Sequence, residues 1–344
     1  MKFTLFSQIL ALVDRNIFNK LVNRHCTDKY NKGINSWTHF VTMLFMQLAK
    51  ANSLRDISNG MRSATGNLSH LGVSRAPSKS TLSYINEHRS ADLFMDLYFA
   101  LLDTLEPSLQ RRKKYVRHLK RKVFIMDSSI IPLALSLFDW AKFRTTKGAI
   151  KLHAVLDYDW LYNLDSNGVF FVTRLKSNAD IEVVESFLIN DKHDHILSDQ
   201  DIRLTGFYSS KKYPKRLRIV RVYDEKNEQT LILLTNQLSW TADTISQLYK
   251  ARWDVEVFFK HLKQLFKIRT FVGTSENAVR IQMWCSMIAI LLLRCLKNKA
   301  QYKWHLSNLI TFLRINLFVK IDLWKWVNNP VLEKANSPPK NTFF

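Results

Sequence analysis

The sequence predicts a mixed α/β protein in which a strand-rich middle lies between two helical regions. Three observations support this. Apolar residues recur at helical spacing over residues 1–105. Between residues 123 and 240 they form short alternating or continuous apolar runs, which are typical of strands. From residue 241 nearly to the end the helical spacing returns. Apolar residues make up 47% of the 344, enough for a sizeable core.

The charge balance indicates a polyanionic partner. The chain has 51 Lys and Arg against 29 Asp and Glu, which gives a formal net charge of +22. With 8 Gly and 7 Pro, collagen-like and low-complexity classes are excluded. The 3 cysteines are far apart and form no C-x-x-C pair. We therefore expect no disulfide framework or zinc cluster, and a reducing cytoplasm fits.

Residues 1–105 are predicted to form an all-α N-terminal domain of the DNA-binding type. Ser53 begins one short capped helix, and Ser80 begins another after the basic residues Arg75 and Lys79. A short helix, a polar turn and a hydroxyl-rich helix with basic flanks resemble a helix-turn-helix. An ordinary helical bundle with a solvated surface is the alternative.

A basic linker is predicted over residues 106–122. The string RRKKYVRHLKRK at 111–122 has eight Lys or Arg among its twelve residues and no acid. A solvated connection is one interpretation. Because the string adjoins an apolar strand, phosphate contacts at a domain junction are the other. The candidate contacts are Arg111, Arg112, Lys113 and Lys114.

Strands are predicted to follow from Val123. The first is a short apolar run that ends at Asp127, and further strands are predicted over 149–157 and 168–175. Two apolar segments, 217–223 and 229–236, flank a polar turn and predict a β-hairpin.

A helix predicted over about 242–266 carries the most informative pattern. At about 100° per residue, Tyr249, Arg252, Glu256 and Lys263 fall on one narrow stripe. An adjacent stripe is apolar and consists of Leu248, Val255, Phe259, Leu262 and Phe266. The polar stripe is either an ordinary solvated face or a functional one.

A carboxylate at a strand end and another on a helix would suit Mg²⁺. Asp127 and Glu256 supply the hard oxygen ligands that this ion prefers. Two such ions can activate a nucleophile and stabilise the leaving oxygen in phosphoryl transfer. The alternative for Asp127 is that it caps a turn.

Several other site classes have no support. The sequence has no P-loop, no dinucleotide fingerprint and no H-E-x-x-H pair. His193 and His195 lie in a polar stretch and predict a surface loop. The apolar run from Met283 to Leu293 is too short to span a bilayer and is followed by Arg294, so no membrane association is expected.

The spacing of Tyr249, Arg252, Glu256 and Lys263 resembles the Y-R-E-K signature of DDE transposases from bacterial insertion sequences, in the insertion sequence 4 family. Further segments resemble the same family, and together they extend over almost the whole chain: 126–130, 135–138, 140–144, 147–153, 170–176 and 273–278.

The resemblance implies a ribonuclease H-like catalytic domain over 123–327, with a β-rich insertion at about 165–240, a helical C-terminus and a flexible tail over 328–344. It implies that Asp127 and Glu256 are catalytic ligands of Mg (or Mn). Tyr249, Arg252 and Lys263 would contact DNA near the cleaved end. Such enzymes bind terminal inverted repeats and join the cut ends to target DNA. A homodimer in synapsis and a bacterial, nucleoid-associated cytoplasmic location are expected.

The chain departs from this family at the second catalytic Asp. That residue normally lies in a D-R-[GA]-Y-like string, which does not occur here. The segment 153–159 instead runs directly into 160–165, as an in-frame deletion would produce. We therefore expect an incomplete core, and a catalytically inactive derivative that only binds DNA is the alternative function. Asp157, Asp159 and Asp165 are predicted to be strand-end or turn residues.

Overall fold

A computed structural model describes residues 3–31, 33–64, 66–109, 129–133, 142–143, 147–152, 158–175, 178–189, 195–225, 227–250, 260, 262–263 and 271–330. The chain divides into two compact units. The first comprises residues 1–111, 130–150 and 260–344, and the second comprises residues 112–129 and 151–259.

The described residues include twelve α-helices with defined bounds, one short 3-10 helix (Ser69–Leu71) and eight strands. The helices are α1 (Leu5–Leu10), α2 (Arg15–Arg24), α3 (Ser36–Ala49), α4 (Leu54–Ser63), α5 (Lys79–His88), α6 (Asp92–Leu109), α7 (Tyr158–Ser166), α8 (Phe207–Lys212), α9 (Ala242–Lys250), α10 (Glu276–Lys299), α11 (Leu306–Asn316) and α12 (Leu323–Asn328). The strands are β1 (Ser129–Leu133), β2 (Lys142–Phe143), β3 (Lys147–Leu152), β4 (Val172–Arg174), β5 (Ile181–Ser186), β6 (Ile196–Leu204), β7 (Leu217–Asp224) and β8 (Gln229–Thr235).

Two helices that are buried around most of their circumference form the core of the first unit. All residues of α3 from Ser36 to Leu48 are buried, and α10 is buried along most of its length. By length and composition α10 could cross a membrane, but 78% of its apolar window is buried inside the protein. A helix that is apolar on all sides and covered by neighbours is typical of a protein core.

Side-chain caps define where the helices of this unit begin. Ser53 caps α4 as predicted, and its hydroxyl accepts the N–H of Asp56 at 3.1 Å. Helix α5 starts slightly earlier than predicted, because Ser78 is its cap and accepts the N–H of Thr81 at 3.1 Å. The regular elements among the described residues of 3–109 are thus all helices, as the apolar spacing indicated.

A buried polar network joins α3, α5 and α10. His39 Nε2 lies 2.7 Å from Oδ1 of Asn86. The Asn277 amide donates to the carbonyls of Asn86 and Arg89 at 2.9 and 2.7 Å. Burial, aided by the positive charge of Arg89, lowers the pKa of His39 to about 3. The imidazole is therefore neutral in the folded chain at ordinary pH.

The second unit is built on one antiparallel sheet with the strand order β4-β8-β7-β6-β5. Strands β7 and β8 pair from Arg218 opposite Thr235 to Asp224 opposite Gln229, which confirms the predicted hairpin. Of the residues 168–175 that were predicted to form a strand, only Val172–Arg174 do so, as β4. The prediction overlooked the turn at Gly168, which closes α7 with a φ of +70°.

Each face of this sheet has its own apolar cluster. One face carries Ile202, Leu217, Ile219 and Leu234, which pack with Leu161 of α7 and with Tyr213. The other carries Val220, Val222 and Leu233, which pack with Ile245 of α9. Helices therefore cover both faces, so the stretch predicted only as β-rich is a sheet between helical layers.

A smaller sheet has the strand order β1-β3-β2. Strands β2 and β3 are antiparallel, with Lys142 opposite Gly148. Asp127, predicted at the end of the preceding apolar run, lies outside the described residues, and so does Asp157.

We predict that the substitution His39→Gln reduces the loss of unfolding free energy that the first unit undergoes when the pH falls. His39 has a folded pKa of about 3, below the unfolded value of about 6.5. The contribution of the neutral His39 imidazole to the unfolding free energy is thus complete above pH 6.5 and is lost as the pH falls towards 3. Between pH 7.5 and 4.5 the unmodified chain should lose about 2–3 kcal/mol more unfolding free energy than the variant.

Urea unfolding followed by circular dichroism at the two pH values measures this difference. His88→Gln is the matched control, because it removes an exposed imidazole of the same unit. Equal losses in the unmodified chain and in His39→Gln would contradict the prediction.

Candidate active site

The structure describes two of the nine predicted site residues. Tyr249 is the second-last residue of α9, is half-buried and packs against the apolar cluster around Ile245. Lys263 is half-buried and follows the fully buried Leu262. The other predicted residues lie outside the described residues: Arg111, Arg112, Lys113, Lys114, Asp127, Arg252 and Glu256. That the side chains of the polar stripe meet Asp127 in one site therefore stays a prediction.

Local chemistry fixes the start of α9. The Thr241 hydroxyl accepts the N–H of Thr244 at 3.2 Å and so caps the helix. Asp243 in the first turn accepts a hydrogen bond from the side chain of Gln247 and lies 3.7 Å from Nε2 of His195. An acidic residue in the first turn also interacts favourably with the helix dipole.

A buried arginine of β7 holds the segment that leads into α9. Arg218 pairs with Asp199 of β6 through two parallel hydrogen bonds of 2.7 and 2.5 Å, and both side chains are less than a tenth exposed. Its third donor, Nη1, reaches the carbonyls of Leu238 and Trp240 at 3.0 and 2.6 Å. One guanidinium thus ties two strands to the backbone immediately before α9.

A second carboxylate lies near this arginine. Asp201 is also on β6 and is buried. Burial raises its pKa above the usual value, although the positive charge of Arg218 acts in the opposite direction. Arg218, together with Arg216, thus compensates negative charge in this part of the sheet.

Asp165 holds the other helical layer in place. It lies in the last turn of α7, where its carboxylate accepts hydrogen bonds from Lys215 at 2.9 Å and Asn236 at 2.8 Å. Burial raises its pKa, but the hydrogen bonds from Lys215 and Asn236 keep the pKa below the usual value. Asp165 therefore lies in a helix, and the prediction that it is a strand-end or turn residue is wrong; its contacts tie α7 to Lys215 and Asn236. The side chain of Asp159 is outside the described part.

The part of the chain that the structure describes contains no group of three His, Cys, Asp or Glu residues able to hold a metal ion. Of the loop predicted to hold His193 and His195, only His195 is described, and it is half-buried.

Sequence reasoning missed Arg218 and Asp199. The available signal was weak: Asp199 and Asp201 lie two residues apart in a segment for which no strand was predicted, and Arg218 interrupts the apolar pattern of the predicted strand 217–223. An ionic residue at an inward position of a strand indicates a buried partner.

Two family models match the chain. The model described as the transposase DDE domain matches residues 118–292. A domain of unknown function, DUF4372, matches residues 2–74.

Curated proteins that bear transposase names are also similar to the chain. The protein y4zB of Sinorhizobium fredii is 29% identical over 263 residues, which cover 64% of this chain and 71% of that protein. A protein named for insertion sequence element IS5377 of Geobacillus stearothermophilus is 32% identical over 146 residues, 42% of this chain and 38% of that protein. A third, named for element IS4SA of Synechocystis, is 22% identical over 283 residues, 74% of this chain and 82% of that protein.

We predict that Arg218→Ala destabilises the second unit by about 3–5 kcal/mol, because it leaves Asp199 buried without its partner. Arg218→Leu combined with Asp199→Leu should recover part of this loss, since no buried charge is then left at these two positions. Urea unfolding followed by circular dichroism measures both changes.

Arg221→Ala is the control. Arg221 lies on the same strand and, among the described residues, bonds the neutral side chains of Ser198 and Gln200. Its removal should cost about 1 kcal/mol. A loss of that size for Arg218→Ala as well would show that the buried pair does not hold the unit together.

Proposed function

Because the chain belongs to the transposase DDE domain family, whose members are DNA phosphoryl-transfer enzymes, we propose that it cuts the ends of a bacterial insertion sequence and joins them to target DNA. The observation that carries the proposal is the family match over residues 118–292, about half of the chain. The transposase names of three similar proteins and the formal net charge of +22 support it.

The proposed reaction centre uses Asp127 and Glu256 as ligands of a divalent metal, Mg²⁺ or Mn²⁺. Both residues lie within the matched segment. Carboxylate oxygens are suitable ligands for these hard cations. When bound, such ions activate the attacking hydroxyl or water and stabilise the leaving oxygen of the phosphodiester. The core around them is proposed to be ribonuclease H-like, as the family implies.

The proposed DNA contacts near the cleaved end come from Tyr249, Arg252 and Lys263. This assignment places the chain with the Y-R-E-K group of the insertion sequence 4 family. Support comes from α9, which carries Tyr249 and rests on the sheet through Ile245 and the Arg218 anchor. A rigid support suits a helix whose side chains must meet a scissile phosphate.

We also propose that residues 1–105 and the linker 106–122 bind DNA, including the terminal inverted repeats. Helix α5 presents a polar exposed face after the exposed Arg75 and Lys79. On that face the rings of Tyr84 and His88 stack with centroids 4.2 Å apart. Cations near the start of a recognition helix commonly contact phosphates in DNA-binding surfaces. A homodimer in synapsis and action in the bacterial cytoplasm, at the nucleoid, complete the proposal.

One sequence feature favours a second candidate, a derivative that binds DNA without cutting it. The string that normally carries the second catalytic Asp does not occur, and α7 begins at Tyr158, shortly after β3 ends at Leu152. In this alternative the chain competes with intact transposase for the element's ends.

We expect Asp127→Asn and Glu256→Gln each to lower strand cleavage by at least about a thousandfold, since each removes a proposed metal ligand. Cleavage is measured on a labelled duplex with the element's inverted repeat, in Mg²⁺ and in Mn²⁺. Asp157→Asn and Asp159→Asn are the matched carboxylate controls and should cut normally. Tight binding with no cleavage by the unmodified chain would establish the second candidate instead.

We expect simultaneous Arg111→Gln, Arg112→Gln, Lys113→Gln and Lys114→Gln to reduce the salt dependence of DNA binding. Each lost phosphate contact lowers the slope of log K against log salt by about 0.9 on duplex DNA. Fluorescence anisotropy in EDTA measures the slope without cleavage. Lys320→Gln with Lys325→Gln serves as the control, and an unchanged slope in the quadruple variant would refute phosphate contacts by the linker.

A further inference from the structure

One side chain ties the start of α10 to the corner between α5 and α6. The amide nitrogen of Asn277 donates to the carbonyls of Asn86 and Arg89 at 2.9 and 2.7 Å. Its amide oxygen accepts the N–H of Ala91 at 3.2 Å. These three backbone groups lie 186 to 191 residues from Asn277 in the sequence. A single half-buried side chain therefore joins the end of one helix and the beginning of the next to a distant helix.

This clamp supplies a hydrogen bond that α5 cannot make within itself. The last four carbonyls of an α-helix have no partner inside the helix. At the end of α5 the carbonyl of Ile85 accepts the N–H of Arg89 at 3.0 Å, whereas the carbonyl of Asn86 accepts from Asn277. Because a backbone group that loses its partner away from water is unfavourable, the clamp helps to fix the end of α5.

The segment 273–278, which resembles the transposase family, is shaped for this contact. A Cβ on Gly273 would lie 2.7 Å from the Cβ of Ala278, so a larger residue would push the segment away. The hydroxyl of Ser275 accepts the N–H of Ala278 at 3.2 Å and begins α10. Asn277 then lies in the first turn of α10. These residues have no part in the proposed metal site, so the clamp gives the segment a role of its own.

On its other side α5 carries an exposed polar face. Its buried side consists of Leu82, Ile85 and Asn86, the last of which is held by the clamp. The exposed residues, named the α5 face, are Lys79, Ser80, Ser83, Tyr84, Glu87 and His88. Hydroxyl, carboxylate and imidazole groups on a helix can donate to or accept from base edges in the major groove.

We propose that Asn277 is a positioning residue for DNA sequence recognition, because it holds α5 in the orientation in which the α5 face reads the inverted repeat. The inference rests on the proposed function, which assigns DNA binding to residues 1–105. Reading bases requires side chains held within about 0.5 Å and 10–20° of the productive geometry. Phosphate attraction is independent of sequence. Loss of the clamp should therefore reduce discrimination between sequences and leave the general affinity for DNA.

The test measures the affinities of full-length chains for two labelled duplexes of equal length by fluorescence anisotropy in EDTA. One duplex has the element's inverted repeat, and the other has the same bases in scrambled order. Asn277→Ala should lower the ratio of the two affinities about tenfold, the value of one base contact. Its affinity for the scrambled duplex should change less than about twofold.

Asn277→Asp tests the two donated hydrogen bonds. The carboxylate has the same shape and still accepts the N–H of Ala91, but it cannot donate to the carbonyls of Asn86 and Arg89. An acidic residue in the first turn stabilises α10 itself. We expect this variant to lose discrimination about as much as Asn277→Ala does, and a weaker α10 would not be the cause.

Gln8→Ala is the matched control, because Gln8 is a second amide clamp in the same unit. It donates to the carbonyl of Ile321 at 2.6 Å and accepts the N–H of Leu323 at 2.9 Å, and neither contact reaches α5. Thermal unfolding followed by circular dichroism should show that Gln8→Ala and Asn277→Ala each lower the midpoint by about 2–6 °C. Only the Asn277 variant should change the ratio of DNA affinities.

An unchanged ratio in either Asn277 variant would overturn the inference, and so would an equal fall in Gln8→Ala, which would make the effect one of general stability. Ser83→Ala with Tyr84→Ala tests the proposed function separately, since it alters the α5 face and keeps the clamp. If this variant loses the ratio and the Asn277 variants keep it, the inference alone fails. If the unmodified chain binds both duplexes equally, the proposed recognition of inverted repeats fails and the inference fails with it.

Discussion

The buried contact between Arg218 and Asp199 is the constraint on which the second unit depends. Its two parallel hydrogen bonds join β7 to β6, and the remaining donor holds the carbonyls of Leu238 and Trp240. Burying two charges is unfavourable unless the geometry satisfies both. Here the guanidinium does so and also fixes the backbone that enters α9.

The sheet that this contact stabilises carries a helix on each of its faces. The five-stranded sheet has α7 fastened on one face through Leu161 and Asp165, and α9 on the other through Ile245. Helix α9 carries Tyr249, and the sequence continues from it to Arg252 and Glu256. In this account the sheet is a rigid support for the proposed catalytic helix rather than a mere spacer.

Local features could be predicted from the sequence, whereas contacts between distant residues could not. The β7–β8 hairpin was predictable because two apolar segments flank a short polar turn. Helix α4 was predictable from its Ser53 cap. Helix α7 was missed because its mixture of aromatic, Asn and Asp residues gives little helical signal.

The Arg218 anchor could not be predicted, because its partners lie 19 to 22 residues away and meet it only through sheet register. For the candidate site, residue spacing and a family resemblance pointed to Asp127, Glu256 and the Y-R-E-K stripe, and the family match supports the reaction class. Their convergence depends on the packing of segments far apart in the chain, which spacing alone cannot fix.

Single-turnover strand cleavage by Arg218→Lys is the most direct test of the view that the sheet positions the catalytic helix. Lysine keeps the charge but loses the fork that reaches both Asp199 and the carbonyls before α9. At a temperature where the variant is folded, its cleavage rate should fall about tenfold or more while its DNA affinity stays within about twofold. A cleavage rate equal to that of the unmodified chain, or a parallel fall in affinity, would contradict this account.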